Sequence, residues 1–208
     1  MTGMSRLRGI TFSAMLLLGL SACSVLPEPV VLTQYQLPAE RLPATRQASP
    51  TRDYSIRIVA PYTDQAHGST RIIVLPDGNQ VSAYEGARWM DNGPVLLRNR
   101  LASGLRDIQQ FKSVVLDVDN AQADFELDSN LELFQVQYQQ GQPVVQIRFD
   151  ARLSDVRRGS PHLMQAHRFS IEQKVDGSSV TDVVRAFGVA GDTLTREIAQ
   201  WILAQPLP

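Results

Sequence analysis

Between Val145 and Leu153 every second residue is apolar: Val145, Ile147, Phe149, Ala151 and Leu153 alternate with Gln146, Arg148, Asp150 and Arg152. Successive side chains of a strand point to opposite faces, so this stretch builds a sheet with one buried face and one wet face. The turns Gln140-Gly141-Gln142 and Arg158-Gly159-Ser160 predict a strand on either side of it. In the strand before it, about 123–139, Phe125, Leu127, Leu131 and Leu133 share one parity, and Phe134, Val136 and Tyr138 share the other. One extra residue in a bulge near Leu133–Phe134 keeps both sets on the core face. In the strand after it, about 162–172, Leu163, Phe169 and Ile171 point inward. His167 has the same parity and reads as a satisfied core histidine.

Two helices complete the pattern. Asp91 or Asn92 caps the first, Pro94 sits in its first turn, and Leu97, Leu101, Leu105 and Ile108 form one apolar stripe. Arg98, Arg100 and Arg106 lie off that stripe. The second starts with a capping box, Ser179-x-x-Asp182. Its stripe is Val180, Val183, Val184, Phe187, Leu194, Ile198, Trp201 and Ile202, with Gly188 or Gly191 as a weak point. Shorter strands are predicted at 31–37, 54–60, 71–75, 81–84 and 112–118, with a turn at Asp77-Gly78-Asn79. The order strands, helix, strands, helix predicts an α+β fold: one mixed, largely antiparallel sheet with two helices packed on it.

Residues 1–22 read as an address. Arg6 and Arg8 precede an 11-residue apolar run, 10–20. That run is too short to span a bilayer, which takes about 20 residues. It ends in Leu20-Ser21-Ala22-Cys23, which resembles the lipobox of bacterial lipoproteins. The resemblance implies cleavage between Ala22 and Cys23 and lipidation of Cys23. Cys23 is the chain's single cysteine and stands where the lipobox needs it, which opposes a plain secretory signal. Ser24 follows, where aspartate retains enterobacterial lipoproteins at the inner membrane, so the expected destination is the periplasmic face of the outer membrane. Residues 23–30 form the lipidated N-terminus and a tether in a stretch rich in proline, and 31–208 form the domain. The tether reaches roughly 20 Å.

The sequence assembles no catalytic or metal-binding motif. Removing the address leaves 18 basic and 21 acidic residues, so no basic excess is present to bind nucleic acid. A lone cysteine forbids an internal disulfide, and with three histidines it makes a zinc-binding core improbable. His162 and His167 fall on opposite faces of a strand, and His67 lies in a loop beside Gly68. No Walker loop, dinucleotide fingerprint, nucleophile elbow or metalloprotease motif occurs. The acids Asp117, Asp119, Asp124, Glu126 and Asp128 lack the glycine of a calcium loop and read as a solvated face that discourages edge pairing. The expectation is no enzyme, no metal and no cofactor beyond the covalent lipid.

The stretch 81–116 resembles the ABC-type transport auxiliary lipoprotein family, the PqiC-like group. The residues that carry it are Val81-Ser82-Ala83-Tyr84-Glu85-Gly86-Ala87-Arg88-Trp89, Pro94-Val95-Leu96-Leu97, Leu101 to Leu105, and Phe111-Lys112-Ser113-Val114. The lipobox, Gln34-Tyr35-Gln36-Leu37 and the C-terminal helix agree with it. The resemblance implies a non-enzymatic lipoprotein partner of an MCE-domain protein and ABC transporter complex, docking a lipid-transport path at the outer membrane. A periplasmic lipid carrier and an outer-membrane assembly or structural lipoprotein are the alternatives, and homo-oligomerisation stays open. Tyr84, Arg88 and Trp89 are the candidate partner contacts. The Arg-Trp pair has two readings: an interface anchor, or an indole packed between strand and helix with the arginine lying over it.

Overall fold

The computed structural model describes residues 31–44 and 52–207. The signal peptide, the cleavage site at Ala22, the lipidation site Cys23, Ser24 and the tether lie outside the described residues.

The longest strand organises the sheet. β1 is Thr33–Tyr35, β2 Arg52–Ile58, β3 Tyr62–Thr63, β4 Arg71–Leu75, β5 Ser82–Trp89, β6 Phe111–Leu116, β7 Phe125–Gln139, β8 Gln142–Asp155 and β9 His162–Lys174. One edge of β7 pairs with β8, which pairs with β9, both antiparallel. The other edge of β7 takes β2, β3 and β4 in succession, all parallel. The sheet therefore forks on that side. β6 extends it beyond β2, while β5 and then β1 extend it beyond β4. The fold is α+β, with one mixed nine-stranded sheet whose longest ladders are antiparallel.

Helices α1, Gly93–Asp107, and α2, Val180–Leu203, bury one sheet face. Val145, Ile147, Phe149, Ala151 and Leu153 of β8 are all buried with Phe125, Leu127, Phe134 and Val136 of β7. Leu97, Leu101 and Leu105 of α1, and Phe187, Leu194 and Ile198 of α2, meet them. Asn92 caps α1, its Oδ1 accepting from the Val95 N–H at 3.0 Å. Ser179 and Asp182 form the full capping box of α2. Ser179→Ala should cost about 1 kcal/mol, measured as a lower urea midpoint at unchanged slope.

Four expectations are corrected. The bulge falls at Glu132, since Leu131 pairs with Phe149 but Leu133 with Arg148. Leu133 is therefore turned to the outer face, while Tyr138 keeps core parity at the strand's end and is 41% exposed. A second bulge lies at Met164, because Leu153 pairs with Gln165 and Ser154 with Leu163. It turns Leu163 outward, 53% exposed, and packs Met164 on the core instead. His167 has core parity but is exposed, lying against Phe169 and Trp201 with ring centroids 4.6 and 6.1 Å away. The partly buried Trp201 lies over it there. Finally, α2 does not weaken at its glycines. A Cβ at Gly188 would come 2.8 Å from the Cβ of Pro38, so the glycine admits the N-terminal segment.

The acidic run is also more than a solvated face. Asp117 accepts from Arg98 at 2.6 Å and from the Ala60 N–H at 2.9 Å. Asp119 accepts from the Leu116 N–H, Glu126 from Arg57, and Asp128 from Arg152. Asp124 takes both the N–H and the hydroxyl of Ser55, each at 2.8 Å. The Ser55 N–H, then its hydroxyl, hold the Asp124 carboxyl below the usual carboxylate range. A depressed folded-state pKa contributes stability above the unfolded value, and that contribution is lost as pH falls through the folded one. Asp124→Asn should therefore flatten the loss of stability between neutral pH and about pH 3 relative to wild type, read by urea unfolding at each pH.

Candidate functional site

The residues of the resemblance converge on one corner, where β5 ends and α1 begins. β5 is held from both sides. β4 pairs with it at Arg71↔Arg88 and Ile73↔Ala83, with a register shift between. Gly86, at φ 66°, lies in the shifted stretch, where a left-handed backbone suits only glycine without strain. On its other edge β1 adds Thr33, Gln34 and Tyr35 opposite Ala87, Arg88 and Trp89. The Met90 N–H donates to the Tyr35 carbonyl at 2.8 Å, and the Trp89 N–H to Thr70 at 2.7 Å.

Trp89 points into the core and is 1% exposed. Its ring meets Phe187 edge-on at 5.2 Å and Phe134 at 5.8 Å, and those two lie 4.7 Å apart. The indole thus packs between sheet and α2, and the packing reading describes it. Arg88 has the opposite parity and points to the outer face. It faces Arg71 directly across the strands, and among the described residues neither guanidinium forms a salt bridge. Like charges opposite one another destabilise a sheet, so this corner keeps an electropositive spot at some cost. Tyr84 is half-buried and packs on the core, with its hydroxyl hidden from solvent. Burial, and then the neighbouring Tyr138, push its phenol above the ordinary range.

Two buried polar groupings brace the corner, and the sequence reading missed both. His67 is buried, its Nδ1 2.6 Å from Asp64 Oδ2 and its Nε2 3.0 Å from Gln135 Oε1. The loop it anchors comes so close to α1 that a Cβ at Gly93 would lie 2.8 Å from the His67 carbonyl. The second grouping holds residues 36–42 as a strap across the two helices. Arg100 Nε donates to Asp192 Oδ1 at 2.5 Å, with both side chains buried. The pair grips Glu40: its N–H donates to Asp192 at 3.1 Å, and its carbonyl accepts from Arg100 at 3.0 Å. The Leu42 N–H donates to Asp107, and the Leu42 side chain is buried. A polar Asp192 amid the α2 stripe was the available signal. Among the described residues no three His, Cys, Asp or Glu side chains group as metal ligands.

This branched sheet with its helix pair is a fold already seen. It is similar to the protein XCC0632 from Xanthomonas campestris, with a TM-score of 0.74 at 20% identity, covering 82% of this chain and 94% of that one. An uncharacterised protein matches at 0.64 and 16% identity, covering 83% and 99%. The hypothetical protein CT253 from Chlamydia trachomatis matches at 0.51 and 11%, covering 73% and 96%. None of the curated proteins matches the sequence. Residues 35–199 match the family model described as ABC-type transport auxiliary lipoprotein component, and the chain belongs to that family. The match takes in the strap, the corner, α1 and all but the last turn of α2.

Proposed function

We propose that this chain is the non-enzymatic docking lipoprotein of an MCE-type ABC transport system, anchored through Cys23 on the periplasmic face of the outer membrane. The observation that carries this reading is the family match over 35–199, which begins within 12 residues of the Leu20-to-Cys23 lipobox. It calls for neither metal nor cofactor. Its partners are the MCE-domain protein and, through it, the ABC transporter. Arg88 and Arg71 offer a contact for an acidic partner surface, and an uncompensated like-charge pair is what such a contact would relieve.

The test is affinity purification of the lipidated protein from solubilised envelopes. Recovery of an MCE-domain protein supports the proposal, and its absence after cross-linking contradicts it. Arg88→Glu should weaken capture about tenfold or more, since a reversed charge at a complementary interface costs several kcal/mol. The same change should leave the melting temperature equal or slightly raised, because a glutamate at this position would face Arg71, and opposite charges across strands contribute about 0.2–1 kcal/mol. A fall in stability with capture intact would remove Arg88 from the interface.

A further inference from the structure

We infer that the domain stands on the membrane with one end down: the end that carries the β4–β5 turn at 76–81, the β7–β8 turn at 140–141 and the link from β9 to α2. The inference rests on the proposed lipid anchor at Cys23 and adds an orientation to it.

β1 fixes the direction from which the chain enters the body. β1 runs parallel to β5, and β5 leaves the 76–81 turn at Ser82 and ends at Trp89. The chain therefore enters β1 from the turn end and moves away from it. It keeps that direction: Pro38 lies at Gly188, Glu40 at Asp192 and Leu42 at Asp107, each further from the start of α2 at Val180. The buried Arg100–Asp192 pair fixes this course, so the entry direction is built into the body.

Chain length then selects the end. β7 spans 15 residues, about 50 Å at ~3.4 Å each. Gln34 pairs with Arg88, Arg88 faces Arg71, and Ile73 pairs with Gln135. Thr33 is therefore level with the neighbourhood of Phe134, roughly 17 Å from the turn end and roughly 30 Å from the other. Nine residues, 24–32, separate Cys23 from Thr33. At full stretch they reach about 30 Å. The turn end lies well within that reach. The opposite end would take all of it and a reversal at Thr33.

The surface of the turn end suits a zwitterionic phospholipid face. Val81 is 58% exposed at that end, and Tyr138, of a residue type that settles at a headgroup boundary, is 41% exposed there. Gln80, Gln139, Gln140 and Gln142 lie at the same end. Asp77 and Asp176 outnumber Lys174, so anionic lipid is not the attraction. The opposite end, with the 156–161 turn and the 117–124 loop, is left facing the periplasm.

Depth-dependent quenching tests this on the full, lipidated chain. Acylated Cys23 is the only native cysteine, so single exposed cysteines can be labelled with a fluorophore: Asn79→Cys and Gln142→Cys at the turn end, Asn120→Cys and Arg158→Cys at the other. The proteins are floated on vesicles of phosphatidylethanolamine and phosphatidylcholine containing headgroup spin labels. The inference expects quenching at 79 and 142 at least threefold stronger than at 120 and 158. Equal quenching at both ends, or the reverse order, overturns the orientation while flotation itself upholds the anchor. Wild-type protein that fails to float overturns the anchored reading, and the orientation with it.

Discussion

Trp89→Ala is expected to destabilise the domain by about 3–5 kcal/mol, the cost of emptying a large buried aromatic site. The indole fills the space between β5, Phe134 of β7 and Phe187 of α2, and the sheet backbone on both sides is fixed by β1 and β4, so collapse into the hole is restricted. A urea midpoint lowered accordingly, at unchanged slope, is the check. Trp89→Phe should cost less than Trp89→Ala. It keeps an aromatic wedge and removes an indole N–H that has no hydrogen-bond partner among the described residues, a group that is costly to bury unpaired. A change below about 1 kcal/mol for Trp89→Ala would place the indole outside the core.

The other large effect belongs to the strap. Asp192→Ala leaves the Arg100 guanidinium buried without its carboxylate, and breaking a buried pair from one side costs about 3–5 kcal/mol. The Glu40 N–H loses its acceptor in the same step. Hydrogen exchange at Tyr35 to Leu42 should therefore accelerate more than exchange in the β7–β8 ladder. Replacing both partners, Arg100→Met with Asp192→Leu, should recover much of the loss, because two apolar groups leave no orphaned charge. Loss of global stability with the strap still protected would show that the pair serves only the helix–helix contact.

The parts of this fold that were legible in sequence are those decided within one element. The β8 alternation identified its buried face because consecutive side chains meet opposite environments, and both helix caps were readable because a cap bonds three residues away. What escaped depends on partners far along the chain. Leu163 looked inward because the Met164 bulge is a property of the β8–β9 register. His67 does lie in a turn, but its burial was not legible because Gln135 is 68 positions distant. Arg100 lay off the apolar stripe and was left there, since Asp192 is 92 positions away. At the candidate corner, the run from Tyr84 to Trp89 marked the right place. Which of Arg88 and Trp89 faces out followed only from the end of β5, whose register shifts at Gly86.

The central claim is that this lipoprotein holds an MCE-type transport path at a membrane, and vesicle flotation with two purified components tests it most directly. Vesicles carrying the lipidated protein are mixed with the soluble periplasmic part of the MCE-domain protein from the same cell and floated through a density gradient. The account predicts that the MCE-domain protein rises with these vesicles, stays behind with protein-free vesicles, and rises about tenfold less with the Arg88→Glu variant. An MCE-domain protein that remains at the bottom of the gradient with wild-type vesicles would contradict it.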